Sequence, residues 1–112
     1  MKMSRVPEDI LGDIVKAIVD LIDPEKIVLF GSQVTGNPKL DSDIDLLIID
    51  NNGLKSGEKV SILGKLWRDL ARFKYPLDLL LYTVEEVEKW RNSQYHIIGN
   101  ALRDGKVIYE RP

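Results

Sequence analysis

The chain contains no cysteine among its 112 residues. That removes a disulfide framework, a thiolate metal site and a cysteine nucleophile at once, and it agrees with an intracellular location. Histidine is almost as scarce. His96 is alone, so no histidine-rich zinc site can be assembled, and a surface or interface role is expected for it. No apolar run comes near the roughly 20 residues that a membrane-spanning helix needs. Residues 1–7 lead into a charged amphipathic stretch, not into the uninterrupted apolar core of a secretion signal, and a soluble cytoplasmic protein is expected. Positive charge never gathers into a patch: 16 lysines and arginines are spread among 18 acids, for a net charge of -2. A duplex-binding protein needs a basic stripe against the phosphates, so nucleic acid is a poor candidate partner.

What is present is enough to build a core. Hydrophobic residues make up 44% of the chain, which argues against disorder, and the length suits a single domain over residues 1–112. A domain this small buries a modest share of its surface, so a partner subunit or self-association is in keeping with it.

Apolar positions recur at helical spacing through residues 7–22 (Ile10, Ile14, Ala17, Ile18, Leu21). Pro7 suits the first helical position, Glu8 and Asp9 suit the positive end, and Asp23-Pro24 forms the stop. Ile27 to Phe30 reads as a short buried strand closed by Gly31, and Gly36, Asn37 and Pro38 read as a loop. A second strand is expected at 44–49, broken by Asn51-Asn52-Gly53. A second long helix is expected at 58–73 and a third strand at 77–82. Thr83 with Glu86 has the pattern of a capping box for a helix to about Arg91; a last helix at 94–103 stops at Gly105, and Val107 to Tyr109 closes the chain as a strand. Helices alternating with strands place the fold in the α/β or α+β class, a small mixed sheet flanked by helices.

The chemistry lies between Gly31 and Asp45. Glycine at a strand end lets a ligand approach the backbone, and Ser32 can open a helical turn whose free N–H groups attract phosphate. Asp43 and Asp45, two residues apart entering a strand, project their carboxylates from one face. Such a pair repels unless a cation intervenes, and oxygen-only ligation suits magnesium or manganese, ions that also bind substrate phosphates. Asp78 interrupts the apolar run of residues 77–81, where an unpaired charge is costly. If that strand lies beside the second, Asp78 completes a three-carboxylate cluster.

Gly31-Ser32, ten residues, then Asp43-Ile44-Asp45 resembles the signature of the DNA polymerase beta-like nucleotidyltransferase superfamily, and Asp78 stands where that superfamily has its third acid. From the first helix to residues 102–110, the pattern resembles the minimal nucleotidyltransferases. The resemblance implies that Gly31 and Ser32 contact the β and γ phosphates of a nucleotide, ATP first among candidates. It implies that Asp43, Asp45 and Asp78 hold two Mg²⁺ ions, with Asp78 also helping to activate the attacking hydroxyl, and that AMP is transferred with loss of pyrophosphate. It further implies a helical partner of the HEPN type, which in some such pairs is a toxin that the small enzyme, as antitoxin, adenylylates on tyrosine. Two alternatives follow from the same resemblance: a non-catalytic antitoxin that acts by binding, and an aminoglycoside-type small-molecule enzyme. The chain departs from the family pattern just after Gly31-Ser32, where Gln33, Val34 and Thr35 replace the basic residues often found there.

Other motifs are excluded. An EF-hand reading of Asp41, Asp43 and Asp45 fails because Leu46 replaces the required glycine and Asn52 the bidentate glutamate. A Walker loop on Gly31 and Gly36 fails because Asn37-Pro38 replaces Lys-Ser/Thr. Asp41 is expected to line the loop, and Ser42 to satisfy backbone. Packing is the default for Trp67, Trp90, Tyr75 and Tyr82, with either tryptophan able to anchor a partner. The mixed charges of residues 55–74 fit a solvated helix face, and Lys89, Arg91 and Arg103 are cations that could approach a triphosphate.

Overall fold

The computed structural model describes residues 6–35, 43–51 and 56–112. The expected loop residues Gly36, Asn37, Pro38, Asp41 and Ser42, and Asn52-Gly53, lie outside these. In chain order the elements are α1 (Glu8–Ile22), β1 (Lys26–Phe30), the short α2 (Ser32–Thr35), β2 (Ile44–Asp50), α3 (Ser56–Leu70), a 3₁₀ turn (Ala71–Phe73), β3 (Leu77–Thr83), α4 (Val84–Trp90), α5 (Ile97–Asp104) and β4 (Lys106–Glu110). The four strands form one mixed sheet in the order β3-β2-β1-β4. β1 runs antiparallel to β2 and β4, while β2 and β3 are parallel, joined by the α3 crossover. This is the expected α+β arrangement.

Alternation along the strands divides the core in two. Ile27, Leu29, Ile44, Leu46, Ile48, Leu79 and Leu81 face α1 and α3, meeting Ile14, Ile18, Leu66 and Leu70. Val28, Leu47 and Ile49 face the other way, onto Val87 of α4 and Ile98 and Ala101 of α5. Period-2 burial thus sends apolar side chains into both faces, and β2 reads as nearly all apolar because it is covered on both sides, with Asp50 at its end the one acid of the strand that is fully buried.

The ends follow local chemistry. Pro7 is the N-cap of α1, with extended backbone (φ -60, ψ 145), so the helix starts at Glu8, one position later than expected. Asp23 ends α1 in the left-handed region (φ 47), its N–H donating to Val19 O. Thr83 and Glu86 form the expected capping box: Glu86 N donates to Thr83 Oγ1 (3.1 Å), and Thr83 N donates to Glu86 Oε1 (2.9 Å). α3 ends three residues earlier than expected, tightening into the 3₁₀ turn before Lys74 adopts φ 59. α5 begins at Ile97, later than residue 94, because Ser93 Oγ accepts from the N–H groups of Tyr95 and His96 and holds a turn there. Gly105 stops α5 through close approach: a Cβ there would lie 2.2 Å from Ala101 O and 2.7 Å from Val28 Cγ1.

Candidate functional site: an acidic sheet end beside a glycine turn

Asp45 and Asp78 are Cα partners on the parallel strands β2 and β3. Partners in register present their side chains on the same face, at strand spacing of about 4.8 Å. That face is the α4/α5 side, since Leu47 and Ile49 share the alternation of Asp45. Asp43 lies one residue before β2, exposed, and Ile44 behind it donates its N–H to Pro76 O (2.8 Å), which ties the starts of the two strands together. The structure therefore brings all three acids to one end of one face, and the cluster expected from spacing is present as a neighbourhood.

The electrostatics report the same crowding. Burial, then repulsion from Asp78, then repulsion from Asp43, pushes the Asp45 carboxyl up from its ordinary 3.8 to about 6. Across the antiparallel pair, Asp45 faces Phe30 of β1. Gly31 follows with φ +76, and a Cβ on it would sit 2.2 Å from Asp45 Oδ2. Any side chain at residue 31 would displace the carboxylate. The expected role of Gly31 was to open the backbone to phosphate; its role as the floor under Asp45 was invisible until the strands were paired. Ser32 begins α2, and Val34 N donates to Gly31 O (3.0 Å) to close that turn.

The donor set fits a hard divalent cation: three carboxylates, no soft ligand, a raised Asp45 that burial and then like charges make costly to ionise, and a glycine floor beside them. Among the described residues, no three Asp, Glu or His side chains converge closely enough to share one ion as they stand. The acids are near enough to repel but are not gathered on a point.

The remaining named side chains have definite places, and the core packing expected of both tryptophans and Tyr75 is corrected. Gln33 is buried, and its Oε1 accepts from Val6 N (3.2 Å), so it anchors the segment before α1. His96 is the N-cap of α5: its Nδ1 accepts from Ile98 N (3.1 Å), and its ring stacks on Trp90 at 4.6 Å and meets Tyr82 edge-on. Trp67 and Trp90 do not enter the core, remaining 43% and 37% exposed, and Tyr75 is equally open. The helices supply enough aliphatic volume that these rings stay at the rim. The cations considered for a triphosphate are engaged locally, Arg91 with Glu88 (2.6 Å), Lys89 over the Trp90 ring (5.2 Å), and Arg103 with Asn100.

A small α+β sheet with acids at one end of neighbouring parallel strands, beside a glycine turn, is the architecture of a nucleotidyltransferase domain. Residues 13–112 match the polymerase beta nucleotidyltransferase family, and the chain belongs to it. None of the curated proteins compared matches the chain. Among solved structures, a Sulfolobus solfataricus protein assigned as a nucleotidyltransferase superposes with a TM-score of 0.62 at 16% identity, covering 92% of this chain and 79% of that one. A second protein assigned to the same class gives 0.59 at 17% identity, covering 88% and 97%. A variant of the MntA–HpeT toxin–antitoxin pair, carrying two Asp-to-Glu substitutions two positions apart, gives 0.55 at 17% identity, covering 95% and 75%. Likeness at this identity describes fold.

Proposed function

We propose that this chain transfers AMP from ATP to a hydroxyl on a partner protein, in a reaction that depends on magnesium. The observation that carries the reading is the register pairing of Asp45 with Asp78 directly beside Gly31. Asp43, Asp45 and Asp78 would hold the metal. Gly31, whose lack of a side chain leaves the backbone open, and Ser32 at the start of α2 would face the β and γ phosphates.

When bound, divalent cations supply positive charge against the triphosphate and the departing pyrophosphate. The residues do the rest. Asp45, half-buried against Gly31, is the fixed ligand of the set. Asp78 is exposed, so an incoming hydroxyl can reach it. As the hydroxyl oxygen bonds to the α-phosphorus, the bond to the β-phosphate oxygen breaks, pyrophosphate leaves, and the hydroxyl proton passes to Asp78.

The acceptor proposed is a HEPN-type helical protein, with this chain as its antitoxin. The MntA–HpeT likeness supports a toxin–antitoxin setting, and its two substituted aspartates have the spacing of Asp43 and Asp45. The test is α-labelled ATP, magnesium and a HEPN-type protein. Label should appear on that protein and vanish with Asp43→Asn or Asp45→Asn. A complex that forms without labelling by the native chain would leave binding as the antitoxin mechanism.

A further inference from the structure

α1 and α3 lie side by side on the sheet face opposite the acids; the exposed charge of α1 is mostly acidic, and that of α3 beyond Glu58 is mostly basic. On α1 the exposed line is Asp9, Asp13, Lys16 and Asp20, three acids to one cation. None of the four has an ion pair among the described residues. On α3 and the turn after it, Lys65, Arg68 and Arg72 are exposed, and of these only Arg72 is ion-paired among the described residues, with Asp69. Beside the cations stand two exposed apolar groups, Val60 (73%) and Trp67 (43%). Gly12 interrupts the acidic line of α1 with open space above it, no atom lying within 4 Å of where its Cβ would be.

We infer that this layer is the dimer interface of the protein, with a second copy of the chain as its occupant. A two-fold axis running along the helices lays α1 of one copy on α3 of the other, twice over, so each acidic line meets a basic one. The chain carries both halves of the complementary pair, which is the reason to choose a second copy over an acidic helix from another protein. Trp67 is the bulky group available to fill the gap at Gly12 of the facing copy. Each helix has 15 residues. Two such helices about 22 Å long and about 10 Å apart offer roughly 500 Å² per copy, below the about 800 Å² of a standard interface. The dimer is therefore weak and leans on charge, so salt governs it. The acids of the candidate site lie on the other face and stay open in both copies, so this inference does not rest on the activity proposed above.

Sedimentation velocity on the full chain tests it. At up to about 1 mM protein and about 20 mM salt, the mass should rise toward twice the monomer. At about 500 mM salt the dissociation constant should be at least tenfold weaker. Lys65→Glu with Arg68→Glu should give a monomer, as should Asp13→Lys with Asp20→Lys; all four positions are exposed, and circular dichroism checks that each variant is folded. Mixing the two variants should restore dimers, because each then meets its opposite charge. Trp67→Ala should weaken the native dimer several-fold. A chain that stays monomeric at low salt, charge-swapped variants that dimerise like the native protein, or a mixture that stays monomeric overturns the proposal.

Discussion

The Asp45 carboxylate rests on the Cα of Gly31, with Oδ2 only 2.2 Å from the point a Cβ would occupy. A glycine at the end of β1 and an acid on β2 thus form one unit, and the shape of the site depends on both.

Gly31→Ala should therefore damage more than a turn. Alanine at φ +76 carries left-handed strain of about 1 kcal/mol, and the contact with Oδ2 adds to it, for a loss of about 2–3 kcal/mol by chemical denaturation. In an Asp45→Ala background the contact term disappears and only the backbone cost remains. A double-mutant cycle should show a coupling of about 1 kcal/mol or more; none would mean that the two residues do not press on one another.

Asp45→Asn should stabilise the metal-free protein near neutral pH while abolishing transfer. Its folded carboxyl is held at about 6 against an ordinary 3.8. Between those values the folded state keeps a proton that the unfolded chain releases, so stability falls as pH rises through this window and levels off above about 6. Because the group is partly open to solvent, the effect is on the order of 1 kcal/mol, not the full shift. The difference in melting temperature between native and Asp45→Asn proteins should grow from about pH 4 to about pH 6 and then stay constant. A difference that is flat across pH would contradict the burial and crowding that hold the Asp45 carboxyl up.

His96→Ala should destabilise the protein by about 1–2 kcal/mol, through loss of the α5 cap and of the stack on Trp90. His96→Asn keeps a capping acceptor and should recover about half. Thermal unfolding of both variants checks this, and nucleotide binding should not change in either.

The order of elements was legible in the sequence because each rests on local chemistry: helical spacing from Ile10 to Leu21, the Thr83–Glu86 box, the apolar runs of β1 and β2. The three acids were legible from their spacing and from Asp78 standing alone among leucines. Other features depend on contacts distant along the chain. Strand pairing alone reveals Gly31 beneath Asp45. The hydrogen bond from Val6 explains a buried Gln33. The fold of α4 against α5 turns a lone histidine into a cap and a stacking partner. Trp67 and Trp90 misled because a large apolar residue suggests the core, while in a small domain the aliphatic side chains of β1, β2, α1 and α3 already fill it.

Calorimetric titration of ATP into the native protein, with magnesium and then with chelator, tests the central claim most directly. Heat of binding should appear with magnesium and disappear with chelator, and Asp45→Asn should weaken the magnesium-dependent binding at least tenfold. Equal binding with and without magnesium, or an Asp45→Asn variant that binds as the native protein does, would contradict the assignment of this acidic sheet end as the site of Mg·ATP.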